Sequence, residues 1–296
     1  MSVVPFDRRE GWIWQDGALV PWREARLHVL SHGLHYGSTV FEGERAYDGV
    51  IFKSREHSER FRRSAELLDF EIPYSAEEIC AAKALCVERN GDPNVYVRPV
   101  AWRGSEMMAV AAPDSTIHVA IAVWPWPSMF NVVEKMRGIY LDIAEWRRPD
   151  PASAPSAAKA AGLYMIATMS KHAAERKGYA DALMLDWQGR IAECTGANVF
   201  FTRGGQLHTP IADCFLDGIT RRTVIELARR RGIGTVERRI MPGELSSFDE
   251  CFLCGTGAEI TPVAGIGPHR YRPGDVSLMM VEDYATEVRR RPGSDA

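Results

Sequence analysis

The chain has 296 residues, with hydrophobic and charged fractions of 46% and 25%. That is the composition of a folded globular protein with one large or two ordinary domains, and it argues against disorder. A formal charge of −3 argues against a nucleic-acid binder, which would carry a basic surplus.

The opening "MSVVPFDRRE" has no apolar run behind a basic patch, and no later segment reaches membrane-spanning length. A cytoplasmic protein is expected. "GWIWQDGALVPW" and "ERAYDGVIF" each set apolar segments on either side of an Asp-Gly pair and read as hairpins. Between them, His28, His32 and His35 suggest a metal site. Gly33 and Gly37 break any helix there and the H-E-x-x-H pattern is absent, so packing and hydrogen-bonding roles are expected instead. "SREHSERFRRSAELLDF" carries Phe61, Ala65 and Leu68 at helical spacing behind a serine cap. "SAEEICAAKALCVERNG" has Ser75 as cap, Glu78 at the capping-box position and Gly91 as its close. "NVYVRPVAWRG" and "STIHVAIAVWPW" read as long strands.

"WPWPSMFNVVEKMRG" has two prolines and no period, and marks a linker. The expected organisation is a smaller domain over 1–125, a linker over 126–138 and a larger domain over 139–296. The larger domain opens with the strand "IYLDIAEW" and a proline-rich loop. A helix from about Ala160 to Lys177 follows, with Ile166, Met169 and Ala173 on its apolar stripe. "YADALMLDWQGRIAECTGANVFFTRGGQLHTP" alternates strands and turns, and "DGITRRTVIELARRRG" is a helix between Asp217 and Gly232. Cys251 and Cys254 sit in a buried strand in which residues three apart point to opposite faces, so a zinc or redox pair is not expected. The architecture is mixed α/β and α+β.

One lysine stands out. Lys159 lies in "ASAPSAAKAAGLYM", among side chains too small to crowd it. A lysine in such a place suits a Schiff base or a general base. Pyridoxal phosphate would also need an anion cradle, a counter-charge for its ring nitrogen and a donor to its phenolic oxygen. Gly218 at a helix start, with the amides of Ile219 and Thr220, is one cradle; Thr256 and Gly257 in "CGTGAEITP" are another. Arg60 adds a cation. Glu193 in "RIAECTGANVFF" is the candidate counter-charge, which would hold the ring nitrogen protonated.

The run "ECTGANVFFTRGGQLHTPIADCFLDGITR", residues 193–221, resembles the class IV aminotransferase signature. "SHGLHYGSTVFEGERAYDG", "REHSERF", "VYVRPVAWRG", "SAAKAAGLYM" and "GTGAEITPV" occur in the order found in branched-chain amino-acid aminotransferases, two-domain fold-type IV pyridoxal 5′-phosphate enzymes. The resemblance covers nearly the whole chain. It implies that Lys159 carries the cofactor and that Glu193 partners its pyridine nitrogen. It makes Tyr164 the donor to the phenolic oxygen, and Arg60, Gly218, Ile219, Thr220 and Thr256 the phosphate set. Main-chain amides over Thr256, Gly257 and Ala258 would meet the substrate α-carboxylate. Tyr36, Phe41, Gly43, Trp126 and Met129 resemble the side-chain pocket, and Tyr96 with Arg98 the receiver of a distal carboxylate.

The implied reaction is transamination of leucine, isoleucine or valine with 2-oxoglutarate, by a homodimer or higher homo-oligomer acting on small amino and 2-oxo acids. Related fold-type IV activities are D-amino-acid or amine transamination and aminodeoxychorismate lyase; a non-catalytic binding protein would not need both Lys159 and Glu193. Two positions depart from the family pattern. Glu44 stands where an aliphatic residue is common and is expected to pair with Arg45, and Met129 stands where an aromatic often closes the pocket.

Overall fold

The computed structural model describes residues 4–126 and 132–291. Met129 and part of the linker segment lie outside the described residues. The chain forms two compact units, Met1–Ser128 with Ala158–Gly162, and Met129–Ala157 with Leu163–Ala296. The short segment that carries Lys159 therefore belongs with the first unit.

In the first unit, β1 (Trp12–Gln15) and β2 (Ala18–Pro21) form a hairpin about Asp16–Gly17, whose φ values are 49° and 99°. A helical turn α1 (His32–Tyr36) follows, formed against expectation across Gly33 and ended by left-handed Gly37; then come β3 (Thr39–Phe41), β4 (Glu44–Tyr47) and β5 (Val50–Ile51). The β4–β5 turn repeats the geometry at Asp48–Gly49, with φ of 50° and 84°. Two-residue turns with both φ values positive match the twist of the strands they join, which explains the two Asp-Gly pairs.

Helices α2 (Ser54–Glu66) and α3 (Ala76–Asn90) precede the long antiparallel pair β6 (Val95–Arg103) and β7 (Ile117–Pro125). Among the described residues the sheet runs β2-β1-β7-β6-β4-β5, with β3 also on β6. Alternation fixes its two faces. Val95, Val97, Ala101, Val119, Ile121 and Val123 point into a core with Phe61, Ala65, Ile79 and Cys86 of the helices. Tyr96, Arg98 and Val100 alternate with that buried set along β6 and take the opposite face. Helix α3 has the expected Ser75–Glu78 capping box and closes on left-handed Gly91. Helix α2 departs from expectation: Ser54 is its first residue, the cap is Lys53 at φ 49°, and no side chain caps it.

In the second unit, α4 (Val132–Lys135) and β8 (Ile139–Ile143) lead to α5 (Met165–Arg176), β9 (Asp181–Leu185), β10 (Ile191–Cys194), β11 (Asn198–Arg203) and β12 (Gln206–Pro210). Then come α6 (Ile219–Arg230), β13 (Thr235–Arg238), β14 (Glu250–Gly255), β15 (Glu259–Ile266), β16 (His269–Arg270) and α7 (Asp275–Glu287). The sheet of the described residues runs β10-β9-β8-β15-β14-β11-β12-β13, with β16 on β15, and mixes parallel with antiparallel pairs. Leu141, Leu183, Val199, Phe201, Leu253 and Val263 form its core.

Helix α5 has the expected period but a different phase. A 3₁₀ turn at Ala161–Tyr164 precedes it, and its buried residues are Ala167, Ser170 and Ala174, while Met169 is exposed. The buried face is thus made of small side chains, and the methionines Met165 and Met169 are exposed. Among the described residues no helix is long and apolar enough to cross a membrane.

Candidate active site

Lys159 is fastened through its backbone. Its N–H donates to Ser64 Oγ at 3.0 Å, its carbonyl accepts from Phe41 N–H at 3.1 Å, and Ala160 makes an antiparallel bridge to Val40. Ser64 is fully buried. The lysine is thus pinned at its main chain while its amine lies 4.9 Å from the centre of the Phe41 ring.

Arg60 stands one turn before Ser64 on α2. Its Nε and Nη2 donate to the two oxygens of Glu42 at 2.7 and 2.8 Å, and His57 Nδ1 reaches the same carboxylate at 2.7 Å. Glu42 is completely buried. Burial would raise its pKa, but Arg60 and His57 outweigh burial and hold the carboxyl below the usual range. Burial also takes His57 down to about 4 against the pull of Glu42, so it is neutral near pH 7. A carboxylate can only accept, so the tautomer with the proton on Nδ1 is the one that fits.

The sheet face opposite the helices brings together several residues of the expected substrate set. Arg98 Nη2 donates to Tyr96 Oη at 3.1 Å, and its guanidinium lies 4.6 Å over Phe41. Arg98 Nε is buried and has no hydrogen-bond partner among the described residues. The Tyr96 ring stacks on Trp124 at 4.9 Å and leans on Trp126 at 5.3 Å. Gly43 makes room for it: a Cβ there would lie 2.1 Å from Tyr96 Oη. Arg98 also lines a cavity of about 340 Å³ with Leu27, Leu34, Val100, Ala120 and Ala122 among its walls. Tyr36 stands apart, half-exposed and stacked on His32 at 4.6 Å. His28, His32 and His35 each take part in hydrogen bonds to nearby backbone or to Ser38.

Glu44 does not pair with Arg45. Adjacent strand residues face opposite ways, so Glu44 points to the helices and meets Lys83 Nζ at 2.7 Å, with both side chains fully buried. Arg45 points the other way, bonds to the Trp126 carbonyl at 3.2 Å and lies over the Tyr47 ring. Burial carries the Glu44 carboxyl up to about 8, opposed by Lys83 and aided by the charge of Glu42.

In the second unit Glu193 is held from two sides. Arg148 Nη2 lies 3.0 Å from Oε1, and Asn198 Nδ2 donates to Oε2 at 3.1 Å. Asn198 also donates to the Leu216 carbonyl, and its Oδ1 lies where a Cβ on Gly218 would be, 2.2 Å away. A side chain there would push the Asn198 amide off its bonds to Glu193 and Leu216, so the strand bearing Asn198 packs directly on the start of α6. Gly218 is the N-cap of that helix without a side-chain cap, followed by buried Ile219 and Thr220. First-turn amides in such a place suit an anion. Tyr164 and Ala258 line one cavity of about 560 Å³ with Thr195, Gly196 and Leu253. Thr256, Gly257 and Ala258 form the turn from β14 to β15, closed by Glu259 at φ 51°.

Each unit by itself carries groups that fit pyridoxal phosphate: the first an amine on a pinned backbone and a cation, the second a fixed carboxylate, a phenol and a helix start at Gly218 with free amides. The sequence does not single out Glu42, His57 and Ser64, which hold Arg60 and the Lys159 backbone, or Arg148 and Asn198, which hold Glu193. Only Asn198 leaves a signal, as a fixed step of the signature.

The profile of the amino-transferase class IV family matches residues 39–266. A probable branched-chain-amino-acid aminotransferase of Rickettsia felis is 43% identical over 90% of this chain and 90% of its own. The branched-chain amino acid aminotransferase of T.th., solved with pyridoxamine 5′-phosphate, superposes with a TM-score of 0.92 at 38% identity over 96% of each chain. That of Thermoproteus uzoniensis, solved with norvaline, gives 0.90 at 37% identity over 95% of each chain. The chain belongs to the class IV aminotransferases, fold-type IV enzymes that work with pyridoxal 5′-phosphate.

Proposed function

We propose that this enzyme transfers the amino group between the branched-chain L-amino acids leucine, isoleucine and valine and 2-oxoglutarate, giving branched 2-oxo acids and L-glutamate. The observation that carries the proposal is Arg98. One pocket must take an aliphatic side chain in one half-reaction and a carboxylate in the other. That calls for apolar walls and one cation that is held when no acid is bound. Arg98 answers the need: Tyr96 and the Phe41 ring keep it in place, and its buried Nε awaits an acceptor. Phe41, Gly43, Trp126 and Met129 complete the pocket in this reading, and Tyr36, which stands apart, joins it only by the family resemblance.

Bound pyridoxal phosphate supplies the electron sink that makes the amino acid's Cα–H bond acidic. The rest of the chemistry falls to the chain. Lys159 would hold the cofactor, and its free amine would take and return the Cα proton. Glu193 would keep the ring nitrogen protonated, and Arg148 with Asn198 fixes the direction of its carboxylate. Tyr164 donates to the phenolic oxygen. Arg60, Thr256 and the amides after Gly218 hold the phosphate, and the amides of Thr256, Gly257 and Ala258 receive the α-carboxylate. The family resemblance supports a homodimer or larger homo-oligomer, working in the cytoplasm on small amino and 2-oxo acids.

The test is an amino-donor panel with 2-oxoglutarate, run on the parent and on Lys159→Ala. The parent should show a visible absorbance band and favour branched L-donors, and the variant should lose both the band and turnover. A Lys159→Ala enzyme with normal turnover defeats the reading. Preference for D-amino acids or simple amines, or pyruvate release with no acceptor, would assign another activity of the fold.

A further inference from the structure

We propose that Glu42, backed by His57, is a positioning residue that aims the Arg60 guanidinium at the cofactor phosphate; this rests on the phosphate role of Arg60 given above. A carboxylate removed entirely from water is expensive to bury, and an apolar pair of similar volume would serve a core at least as well. Glu42 is nonetheless completely buried, and three short contacts converge on its two oxygens. Its own backbone cannot drift, because its N–H donates to the Pro99 carbonyl at 2.9 Å on the adjacent strand.

Two of the three contacts take one edge of the Arg60 fork, Nε and Nη2, which fixes both the plane and the direction of the guanidinium. His57 supplies the third and keeps the carboxylate from rotating. Burial keeps His57 neutral, so it orients Glu42 without bringing a second positive charge beside Arg60. His57, Arg60 and Ser64 lie at i, i+3 and i+7, one face of α2. That face therefore holds the phosphate cation through Glu42 and the Lys159 backbone through Ser64. A single helix face sets the spacing of the two cationic groups.

The experiment titrates the full chain, stripped of cofactor, with pyridoxal 5′-phosphate and separately with pyridoxal, which lacks the phosphate. Arg60→Ala should weaken pyridoxal phosphate binding at least tenfold and leave pyridoxal unchanged. Glu42→Gln and Glu42→Asp should each reproduce most of that loss, the aspartate because it keeps the charge but withdraws the fork by one methylene. Glu42→Gln added to Arg60→Ala should cost nothing more. His57→Phe leaves both Arg60 contacts in place and should show a smaller loss in the same direction, which keeps the test alive should Glu42→Gln not fold.

The proposal is overturned if the Glu42 variants weaken both probes equally, if the double-variant losses add, or if Glu42→Asp binds like the parent. An Arg60→Ala chain that binds both probes like the parent removes the phosphate role of Arg60, and the proposal with it. A parent chain that gives no visible band with either probe removes the cofactor reading itself.

Discussion

Gly43→Ala adds one methyl group at a position that leaves no space for it. The new Cβ would stand 2.1 Å from Tyr96 Oη and 3.0 Å from Cζ, where ordinary contact begins at 3.4 Å. Tyr96 must retreat by roughly 1 Å, a distance at which packed atoms and hydrogen bonds are already lost. Its ring is stacked on Trp124 and backed by the tilted Trp126, so the easiest movement takes the hydroxyl away from Arg98 Nη2. Hydrogen bonds to charged groups contribute about 1.5–3 kcal/mol, which corresponds to roughly 10- to 150-fold. Under the proposed function that loss should fall on glutamate and 2-oxoglutarate. In single-turnover measurements that follow the visible band, the glutamate half-reaction of Gly43→Ala should slow at least tenfold, and the leucine half-reaction by less than about threefold. Tyr96→Phe should give the same pattern, Arg98→Met a deeper version of it, and Gly43→Ala should add little to Tyr96→Phe. Equal damage to both half-reactions would mean that Gly43 shapes the shared part of the pocket and that Arg98 is not a substrate-selective cation.

Glu193→Gln should retain the cofactor but slow Cα proton removal by tenfold or more, read as a primary isotope effect on Cα-deuterated leucine at saturating cofactor; parent-like turnover would refute the ring-nitrogen role. The buried Glu44–Lys83 pair gives a stability prediction. Burial lifts the Glu44 carboxyl from 4.5 to about 8, so between those values the folded chain holds a proton that the unfolded chain has released. Stability from this group is therefore lost as pH rises through that window, by up to about 1.4 kcal/mol per pH unit. Glu44→Gln with Lys83→Met removes both titratable groups together, and its urea midpoint should fall less than the parent's between pH 5 and 8; identical slopes would sink the assignment.

What is legible in the sequence is local. The Asp-Gly hairpins, the Ser75–Glu78 capping box, the alternating strands β6 and β7 and the Gly218 helix start are each specified by residues a few positions apart, and each is present. The departures share a physical cause. Helix α5 has the period its sequence implies, but it buries Ala167, Ser170 and Ala174, a phase that depends on its tertiary neighbours and that periodicity does not report. Glu44 does not meet its neighbour in sequence, because strand geometry sends neighbours to opposite faces, and its partner lies 39 positions away. Glu42, His57, Ser64 and Arg148 escape sequence reasoning for the same reason. Each acts through a contact made by tertiary folding, 15 to 95 residues distant for Glu42 with His57 and for Ser64 with Lys159. Groups expected to touch the cofactor are readable because their chemistry demands particular residue types at fixed spacing. The groups that hold them are not, because a buried carboxylate is identified by what faces it and only the fold decides that. Arg60 illustrates the division: its charge is plain in "REHSERF", but its direction is set by Glu42 across the sheet–helix interface. In this chain a local motif supplies the reactive group, and the tertiary partners supply its aim.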